Sequence, residues 1–437
     1  MQGRVFKYVF ILSIAFLSFV LGALVVTANL PTSAQLLTSF KGAAALYQIY
    51  AFWSAGDDMS ETTMWYETRR PEKGVTVNDP ARAHRGLTLY SSGHSQSAQL
   101  IDMDGNTVHQ WALPYSEIWD ASGEIRDPVS DEFVFWRNTR LFPNGDLLAL
   151  YVAHGRTPWG YGLARMDKDS NLIWKYLGPA HHDMDVADDG RIYTLTHTIR
   201  EKPVDGAPWI HVPVITDHVV VLSPDGKVEQ EIDLLDAIRN SMYAGWLAMI
   251  QFDFNGDSLH TNAIDFIDAE TARHFPFARS GQVMLSFRSI NAVVLLDLES
   301  EKVVWALRGP WIAQHDPDLL ANGNLLIFDN LGNLGDGGPS RVIEFDPLTQ
   351  EIEWAYAGDA NTPLESRTRS AQQRLANGNT LITESDAGRI LEVSAAGDIV
   401  WEFINPERLG DDGAYTSVVF WAQRYDPMDL SFGDFTN

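Results

Sequence analysis

Short β-turns recur from about residue 86 onward, and this repetition restricts the fold more than any other feature of the 437-residue chain. Each turn is followed by a short run of β-strand type, which is the pattern of β-hairpins. The turns of the first group precede a strand that in most cases reaches a tryptophan, and they are Asp104-Gly105-Asn106-Thr107, Asp169-Ser170-Asn171-Leu172, Asp225-Gly226-Lys227-Val228, Glu299-Ser300-Glu301-Lys302, Leu348-Thr349-Gln350-Glu351 and Ala396-Gly397-Asp398-Ile399. The turns of the second group are Asn144-Gly145, Asp189-Gly190, Ser280-Gly281, Asn322-Gly323 and Asn377-Gly378.

The two groups alternate along the chain, so each repeat contains two hairpins, or four strands. Units of about 45 to 60 residues with four strands, repeated about six times, predict a six-bladed β-propeller, an all-β fold. A propeller ring must close. We expect residues 418–421 to add a strand to the blade that begins near residues 87–90.

The N-terminus predicts export from the cytoplasm. Arg4 and Lys7 precede an apolar run over residues 8–28, which is long enough for a transmembrane helix with its N-terminal side in the cytoplasm. We therefore expect an anchor in residues 1–29 and a single-pass inner-membrane protein whose propeller lies on the periplasmic or extracytoplasmic side. Val26-Thr27-Ala28 resembles a cleavage site, so a removed signal peptide is the alternative. Residues 30–85 are interpreted as a juxtamembrane helix over 36–53 and a linker, and residues 86–437 as the propeller domain.

Charge and composition exclude several classes of function. The formal net charge is −26, spread along the chain, and this argues against nucleic acid as a partner, because phosphates require a basic surface. An anionic substrate would need a few local cationic groups. The chain has no cysteine, which excludes disulfides, thiolate metal sites and cysteine nucleophiles.

Histidines occupy matching positions in two of the repeats. His182 lies eight residues before Gly190, and His315 lies eight residues before Gly323. The same offset from Gly145 and Gly378 gives Arg137 and Ser370. All four residues are polar and lie where the inner strand of a blade is expected to begin, at the mouth of the central channel. His260 precedes an insertion that breaks the count, so the repeat alone does not place it.

Several motifs in this order resemble the bacterial aryl sulfotransferases that take their sulfuryl group from phenolic sulfate esters and not from the nucleotide PAPS. The motifs are His181-His182-Asp183-Met184-Asp185, Leu259-His260-Thr261-Asn262, Ser286-Phe287-Arg288, Gln314-His315, Asn322-Gly323-Asn324 and Phe328-Asp329-Asn330. The resemblance covers about residues 86–430. It implies a six-bladed propeller without a cofactor, with an aryl sulfate donor and a phenolic acceptor as partners.

The resemblance also implies roles for individual residues. His315 corresponds to the nucleophile that forms a sulfohistidine intermediate, and His260, Asn262, Arg288 and His182 correspond to the groups around it. Positioned cations and N–H donors suit this chemistry, because charge spreads over three equatorial oxygens as a sulfuryl group moves. Members of the family carry an additional N-terminal β-sandwich used in dimerisation, and its place is taken here by the predicted anchor, so the sequence leaves the oligomeric state open.

Other interpretations remain open at this point. The propeller could be a non-catalytic extracytoplasmic module that binds a ligand or a protein, with structural histidines, or the enzyme could use water as acceptor. The segment His181–Asp185, with His197 or His211, could bind a metal, but it lacks the helical spacing of zinc hydrolases, so we expect no metal. Aromatic residues that could hold an aryl ring are Trp159, Tyr161, Trp209, Trp246 and Trp311.

Overall fold

The computed structural model of the protein describes residues 2–28, 64–154, 159–252 and 256–435. The chain divides into two compact units. The first comprises residues 1–57 with 253–256, and the second comprises residues 58–252 and 257–437. In the first unit the described structure is one long helix, α1 (Gln2–Thr27).

Nearly all regular structure of the second unit is β-strand. The strands are β1 (Trp65–Glu67), β2 (Gly74–Asn78), β3 (Leu87–Ser92), β4 (Ser97–Ile101), β5 (Thr107–Ala112), β6 (Val134–Leu141), β7 (Leu147–Ala153), β8 (Gly160–Met166), β9 (Leu172–Tyr176), β10 (Ala180–Val186), β11 (Ile192–Arg200), β12 (Val214–Leu222), β13 (Val228–Asp233), β14 (Thr261–Ile267), β15 (Gln282–Phe287), β16 (Ala292–Asp297), β17 (Lys302–Arg308), β18 (His315–Leu319), β19 (Leu325–Asp329), β20 (Arg341–Asp346), β21 (Glu351–Tyr356), β22 (Ala371–Arg374), β23 (Thr380–Glu384), β24 (Arg389–Val393), β25 (Ile399–Ile404), β26 (Arg408–Leu409), β27 (Tyr415–Ser417) and β28 (Val419–Tyr425). Two short α-helices are α2 (Tyr115–Ile118) and α3 (Leu234–Arg239). Short 3₁₀ helices span Asp131–Phe133, Ala244–Phe252, Thr271–His274, Arg288–Ile290, Ser385–Ala387, Asp411–Gly413 and Pro427–Asp429.

Six antiparallel sheets of four or five strands form the blades in the described part of the chain. In order around the ring they are β28-β3-β4-β5, β6-β7-β8-β9, β10-β11-β12-β13, β14-β15-β16-β17, β18-β19-β20-β21 and β22-β23-β24-β25-β2, which we number blades 1 to 6. The first strand of each blade contacts the first strands of its neighbours, so these six inner strands surround a common axis. The sheet topology is therefore that of the predicted six-bladed β-propeller.

The predicted ring closure is confirmed. β28, from the C-terminal end of the chain, pairs antiparallel with β3, with Ala422 opposite Tyr90. Blade 1 thus joins both ends of the propeller sequence. This connection also explains why the second group of turns has one member fewer than the first. In blade 1 no local turn joins the inner strand to its neighbour.

Tryptophans on the outer strands of blades 1, 5 and 6 form hydrogen bonds to the next blade. Trp111 of blade 1 donates its indole hydrogen to the carbonyl of Gly145 in blade 2, at 3.0 Å. Trp354 of blade 5 donates to Ala395 in blade 6, at 3.1 Å, and Trp401 of blade 6 donates to Met103 in blade 1, at 2.9 Å. The first group of turns therefore places a large apolar side chain where it covers a hairpin of the following blade.

The N-terminal expectations are corrected in part. No helix in the described residues, α1 included, is both long enough and apolar enough to cross a membrane, so the predicted transmembrane helix is not supported. The predicted juxtamembrane helix over 36–53 lies outside the described residues. Within the predicted linker, β1 pairs with β27, and β2 pairs with β25 as the fifth strand of blade 6. The alternating apolar residues of Gly74–Asn78 allow this pairing, which continues the sheet at its outer edge.

Candidate active site

The inner strands are irregular where they begin, and this irregularity turns polar side chains toward the axis. The strand pairing shifts between Trp136 and Asn138 in β6, between His181 and Met184 in β10, and between His315 and Asp318 in β18. Such β-bulges leave a residue out of the ladder and aim its side chain elsewhere. The residues left out include Arg137 and His182, two of the positions predicted by counting from the turn glycines.

A cavity of about 390 Å³ lies at this end of the axis. Four imidazoles and three guanidinium groups line it, contributed by His154, His182, His260, His315, Arg137, Arg288 and Arg369. The structure therefore brings together four of the five predicted site residues. The volume of the cavity is within the range of pockets for small organic ligands. In a chain with a net charge of −26, this concentration of cationic side chains is a local site for an anion.

His315 is buried, and its ring orientation follows from a contact with Asn330. The Nδ1 atom of His315 lies 2.8 Å from Oδ1 of Asn330. The amide of Asn330 is itself fixed, because its Nδ2 donates to the carbonyls of Ser366 and Arg369, at 2.8 and 3.1 Å. Its Oδ1 can then only accept, so His315 carries its hydrogen on Nδ1 and has a lone pair on Nε2.

The protein environment keeps His315 neutral. Burial lowers the pKa of His315 well below its usual value, and the charges of Arg137 and Arg288 lower it further. Burial also lowers the pKa of His182, with His260 and His181 adding to the effect. A neutral imidazole with an available lone pair is the form that can act as a nucleophile.

His260 has a carboxylate partner that the sequence interpretation missed. His260 lies just before β14 and its Nδ1 bonds to Oδ2 of Asp257, three residues earlier. The rings of His260 and His182 are 4.9 Å apart, edge to face. A carboxylate behind an imidazole holds the ring and stabilises the imidazolium that forms when it takes a proton. The Asp257-x-x-His260 spacing was the available sequence signal.

Three arginines approach the cavity from different blades. Arg288 follows β15 directly. Arg137 is 7% exposed, and burial, together with the neighbouring Arg369, lowers its pKa to about 10. Both Arg137 and Arg369 lie beside the ring of Phe420, at 5.8 and 5.5 Å from its centroid. Arg137 was found by position in the repeat, whereas no sequence signal distinguished Arg369.

Two expected positions lie outside the cavity lining. Asn262 of β14 donates from Nδ2 to the carbonyl of Gln314, at 2.8 Å, so it holds the residue before His315. Ser370 exchanges hydrogen bonds with Ser385, and Arg369 lines the cavity in its place. The repeat count therefore located the correct blade but missed the side chain by one residue.

Aromatic and apolar groups complete the lining. Trp159, Tyr66, Phe420 and Met64 are the side chains that could contact an aryl ring. The remaining aromatic residues proposed from sequence have other contacts. Tyr161 packs against Tyr115, Trp209 and Trp311 donate to backbone carbonyls, and Trp246 packs against Tyr243.

A second cavity, of about 290 Å³, is also lined by the inner strands, and its lining is rich in carboxyl groups. Its carboxylates are Asp183, Asp185, Asp265, Asp316 and Asp318. Burial and the neighbouring Asp183 raise the pKa of Asp316 to about 8. Burial and neighbouring carboxylates also raise the pKa values of Asp265 and Asp318 well above the usual range. Two arginines, Arg140 and Arg374, also line this second cavity, whereas the described lining of the first cavity includes no carboxylate. The first cavity is therefore the more favourable of the two for an anion. A separate cluster of possible metal ligands is formed by three buried residues outside both cavities, His181, His197 and Asp217.

Comparison with known proteins identifies the family but no individual relative. No curated protein sequence matches the chain. Among solved structures, a protein of unknown function from Bacteroides caccae is 11% identical, with a TM-score of 0.46, covering 73% of this chain and 94% of that one. A streptogramin B lyase is 12% identical (TM-score 0.42; 83% and 97% covered), and the β-propeller domain of Cps50 (Swd1) from Myceliophteria thermophila is 10% identical (TM-score 0.40; 79% and 90% covered).

The family model described as Arylsulfotransferase (ASST) matches residues 139–406. This segment is well over half of the chain and includes His182, His260, Arg288 and His315. The match supports aryl sulfotransferase activity in general and agrees with the resemblance noted in the sequence motifs. The chain belongs to the arylsulfotransferase family.

Proposed function

We propose that the protein transfers a sulfuryl group from an aryl sulfate ester to a phenol, without PAPS, through a sulfohistidine on Nε2 of His315. The observation that carries this proposal is the contact between His315 and Asn330, because it leaves the Nε2 lone pair of a neutral imidazole available in a cavity rich in cations. Burial supports the neutral form.

In the first half-reaction, Nε2 of His315 attacks the sulfur, and the bond between sulfur and the aryl oxygen breaks. The developing charge on the sulfuryl oxygens is stabilised by the guanidinium groups of Arg288 and Arg137. The phenolate leaves and takes a proton from His260, whose other ring nitrogen bonds to Asp257. The products are sulfohistidine, a free phenol and neutral His260.

The second half-reaction reverses these steps with another phenol. Its hydroxyl gives its proton to His260, and its oxygen attacks the sulfur. The N–S bond then breaks, the electron pair returns to Nε2 of His315, and the aryl sulfate product leaves. Because donor and acceptor use the same cavity in turn, we expect ping-pong kinetics.

The test uses 4-nitrophenyl sulfate as donor and a naphthol as acceptor, with the full chain and no nucleotide. We expect release of 4-nitrophenol and formation of naphthyl sulfate. With the acceptor omitted, we expect an added mass of about 80 Da on the peptide that contains His315. Turnover and labelling should be lost in His315→Ala and kept in His274→Ala, a variant at a partly exposed histidine outside the cavity.

Equal turnover by wild type and His315→Ala would exclude the proposed nucleophile. Binding of an aryl sulfate without any turnover would favour the non-catalytic interpretation, and transfer to water alone would favour a sulfatase. A location outside the cytoplasm stays a prediction from Arg4, Lys7 and the apolar run that follows them.

A further inference from the structure

Three buried polar side chains lie on adjacent strands of blade 3, outside the lining of the catalytic cavity. They are His181 on β10, His197 on β11 and Asp217 on β12. His197 and Asp217 are opposite each other in the strand pairing, and His181 pairs with Leu195, two residues from His197. Since residues i and i+2 of a strand share a face, all three side chains lie on the same face of the sheet.

The cluster has an excess of polar atoms without hydrogen bonds. Nε2 of His181, both ring nitrogens of His197 and Oδ1 of Asp217 have no hydrogen-bond partner in the part of the chain that the structure describes. The three residues are at most 2% exposed. Buried polar atoms are almost always paired, because burial without a partner costs free energy. Four such atoms at one place indicate a missing ligand.

The distances suit one small cation. Ligand atoms of the three residues all lie within 4.8 Å of one another, and Nε2 of His181 is 3.7 Å from Oδ1 of Asp217. That separation is too long for a hydrogen bond. Two atoms bound to one tetrahedral ion at about 2.1 Å would be about 3.4 Å apart, so a small closure of the cluster would bind an ion.

We propose that His181, His197 and Asp217 bind one divalent transition-metal ion of the class of Zn²⁺, Fe²⁺ and Co²⁺. Two imidazoles and one carboxylate are ligands that such ions accept, and three protein ligands leave a position for water. The outer contacts are those of a metal site. Oδ2 of Asp217 accepts from the backbone of Thr261 at 2.7 Å, and Nδ1 of His181 bonds to Nδ1 of His182 at 2.7 Å.

The surroundings provide a route for the ion and a boundary toward the active site. His197 also lines a separate cavity of about 250 Å³ that includes the carboxylate of Glu124, which would attract an entering cation. On the other side, the ring of Trp159 contacts the ring of His197 edge-on, with centroids 4.3 Å apart. Because Trp159 lines the catalytic cavity, it separates the metal cluster from that cavity.

The ion would position His182 without touching the substrate. With Nε2 of His181 bound to a cation, the hydrogen of His181 is on Nδ1 and is donated to Nδ1 of His182. His182 then carries its hydrogen on Nε2, where it can donate to a sulfuryl oxygen. His181 is in this sense a positioning residue.

The test measures metal binding by the full chain directly. After dialysis against a chelator, the protein is titrated with Co²⁺, followed by its visible absorbance, by the metal content after gel filtration and by thermal unfolding. We expect one ion per chain and a midpoint of unfolding that rises with Co²⁺ concentration, because the ion binds the folded state. His197→Gln and Asp217→Asn should each lower the affinity by about 10-fold or more, whereas His211→Gln should not.

Wild-type protein that takes up no Co²⁺, or variants that bind it as well as wild type, would overturn the inference. If His197→Gln does not fold, as judged by circular dichroism, the nearly isosteric Asp217→Asn decides the question. In active protein, removal of the ion should lower kcat with little effect on KM. Co²⁺ binding without sulfuryl transfer would contradict the proposed function and leave the metal site standing.

Discussion

At the scale of single residues, the site depends on neutral imidazoles held among fixed cations. Arg137 and Arg288 lower the pKa of His315 and would also attract the sulfate ester, so the same charges serve both the nucleophile and the substrate. The hydrogen bond from His315 to Asn330 is the contact that decides which ring nitrogen can react. Loss of that contact frees the ring to rotate and to exchange its hydrogen between the two nitrogens.

Asn330→Ala should therefore lower the rate of sulfuryl transfer by about 100-fold, the order of effect expected when a reacting group loses its orientation. The rate is measured as the burst of 4-nitrophenol in a single turnover. The control is Asn333→Ala. Among the described residues, the Asn333 amide donates to the carbonyls of Asp336 and Gly338 and accepts from the backbone of Gly335, all within its own loop. An unchanged burst rate in Asn330→Ala would contradict the assignment of the reactive nitrogen.

The pH dependence gives a second prediction for His315. Because burial and the facing groups Arg137, Arg288, His182 and His260 disfavour a positive charge on it, His315 should remain neutral as the pH falls through 6.5, the value for an unperturbed imidazole. The burst rate with 4-nitrophenyl sulfate, whose phenolate needs little protonation to leave, should thus be flat from pH 8 to below 6.5. A rate that falls by half at pH 6.5 would show an unperturbed nucleophile.

At the scale of secondary-structure elements, the start of the inner strand positions site residues, whereas the outer turns connect neighbouring blades. At the start of the inner strands, His182 in the bulge of β10 and His260 just before β14 adopt left-handed backbone conformations with φ of 59° and 49°. Non-glycine residues rarely occupy this region, and such strain is concentrated at functional sites. The turns at the outside of the blade instead hold neighbouring blades together through the outer-strand tryptophans.

A substitution at Gly226 tests the contact between an outer turn and a tryptophan of the neighbouring blade. The φ of Gly226 is +79°, and a Cβ there would lie 2.5 Å from the indole of Trp174 in the preceding blade. Gly226→Ala should lower the free energy of unfolding by about 2–5 kcal/mol, from backbone strain and from the clash together. Gly397→Ala, at a turn with φ of +90° and no atom of the described residues within 4 Å of the added Cβ, should cost only about 1–2 kcal/mol.

Urea unfolding of both variants measures this difference. Equal losses of stability would mean that the contact between Trp174 and the turn of Gly226 contributes nothing, and that only the backbone conformation matters.

At the scale of the whole molecule, the ring closed by β28 and β3 has cationic groups in one axial cavity and carboxylates in the other. The acidic cavity makes stability depend on pH. Asp265 has a raised pKa because it is buried near Asp185, Asp183 and Asp316, so the folded protein binds a proton that the unfolded chain releases at lower pH. By linkage, this contribution to stability declines as the pH rises above the unfolded pKa of about 4.

Asp265→Asn should therefore raise the midpoint of thermal unfolding at pH 8, with a much smaller change at pH 5, where the wild-type carboxyl is closer to fully protonated. Differential scanning calorimetry at the two pH values measures this shift. Asp398→Asn, at an exposed turn, is the control. A shift of the same size at both pH values would contradict the linkage.

The sequence by itself determined the repeat and therefore most of the fold. Turn residues and strand patterns act locally, so they predicted four-stranded blades, their number and the closing strand. The repeat also predicted that His182, His315 and Arg137 meet, because equivalent positions of successive blades face one axis.

Only the tertiary structure decided the contacts between residues that no repeat relates. The contact of Asn330 with His315, the position of Arg369 in place of Ser370, and the cluster of Asp217 with His181 and His197 join residues of different strands or loops. Such contacts depend on how strands and blades pack in the folded ring, and a local sequence pattern does not contain that information.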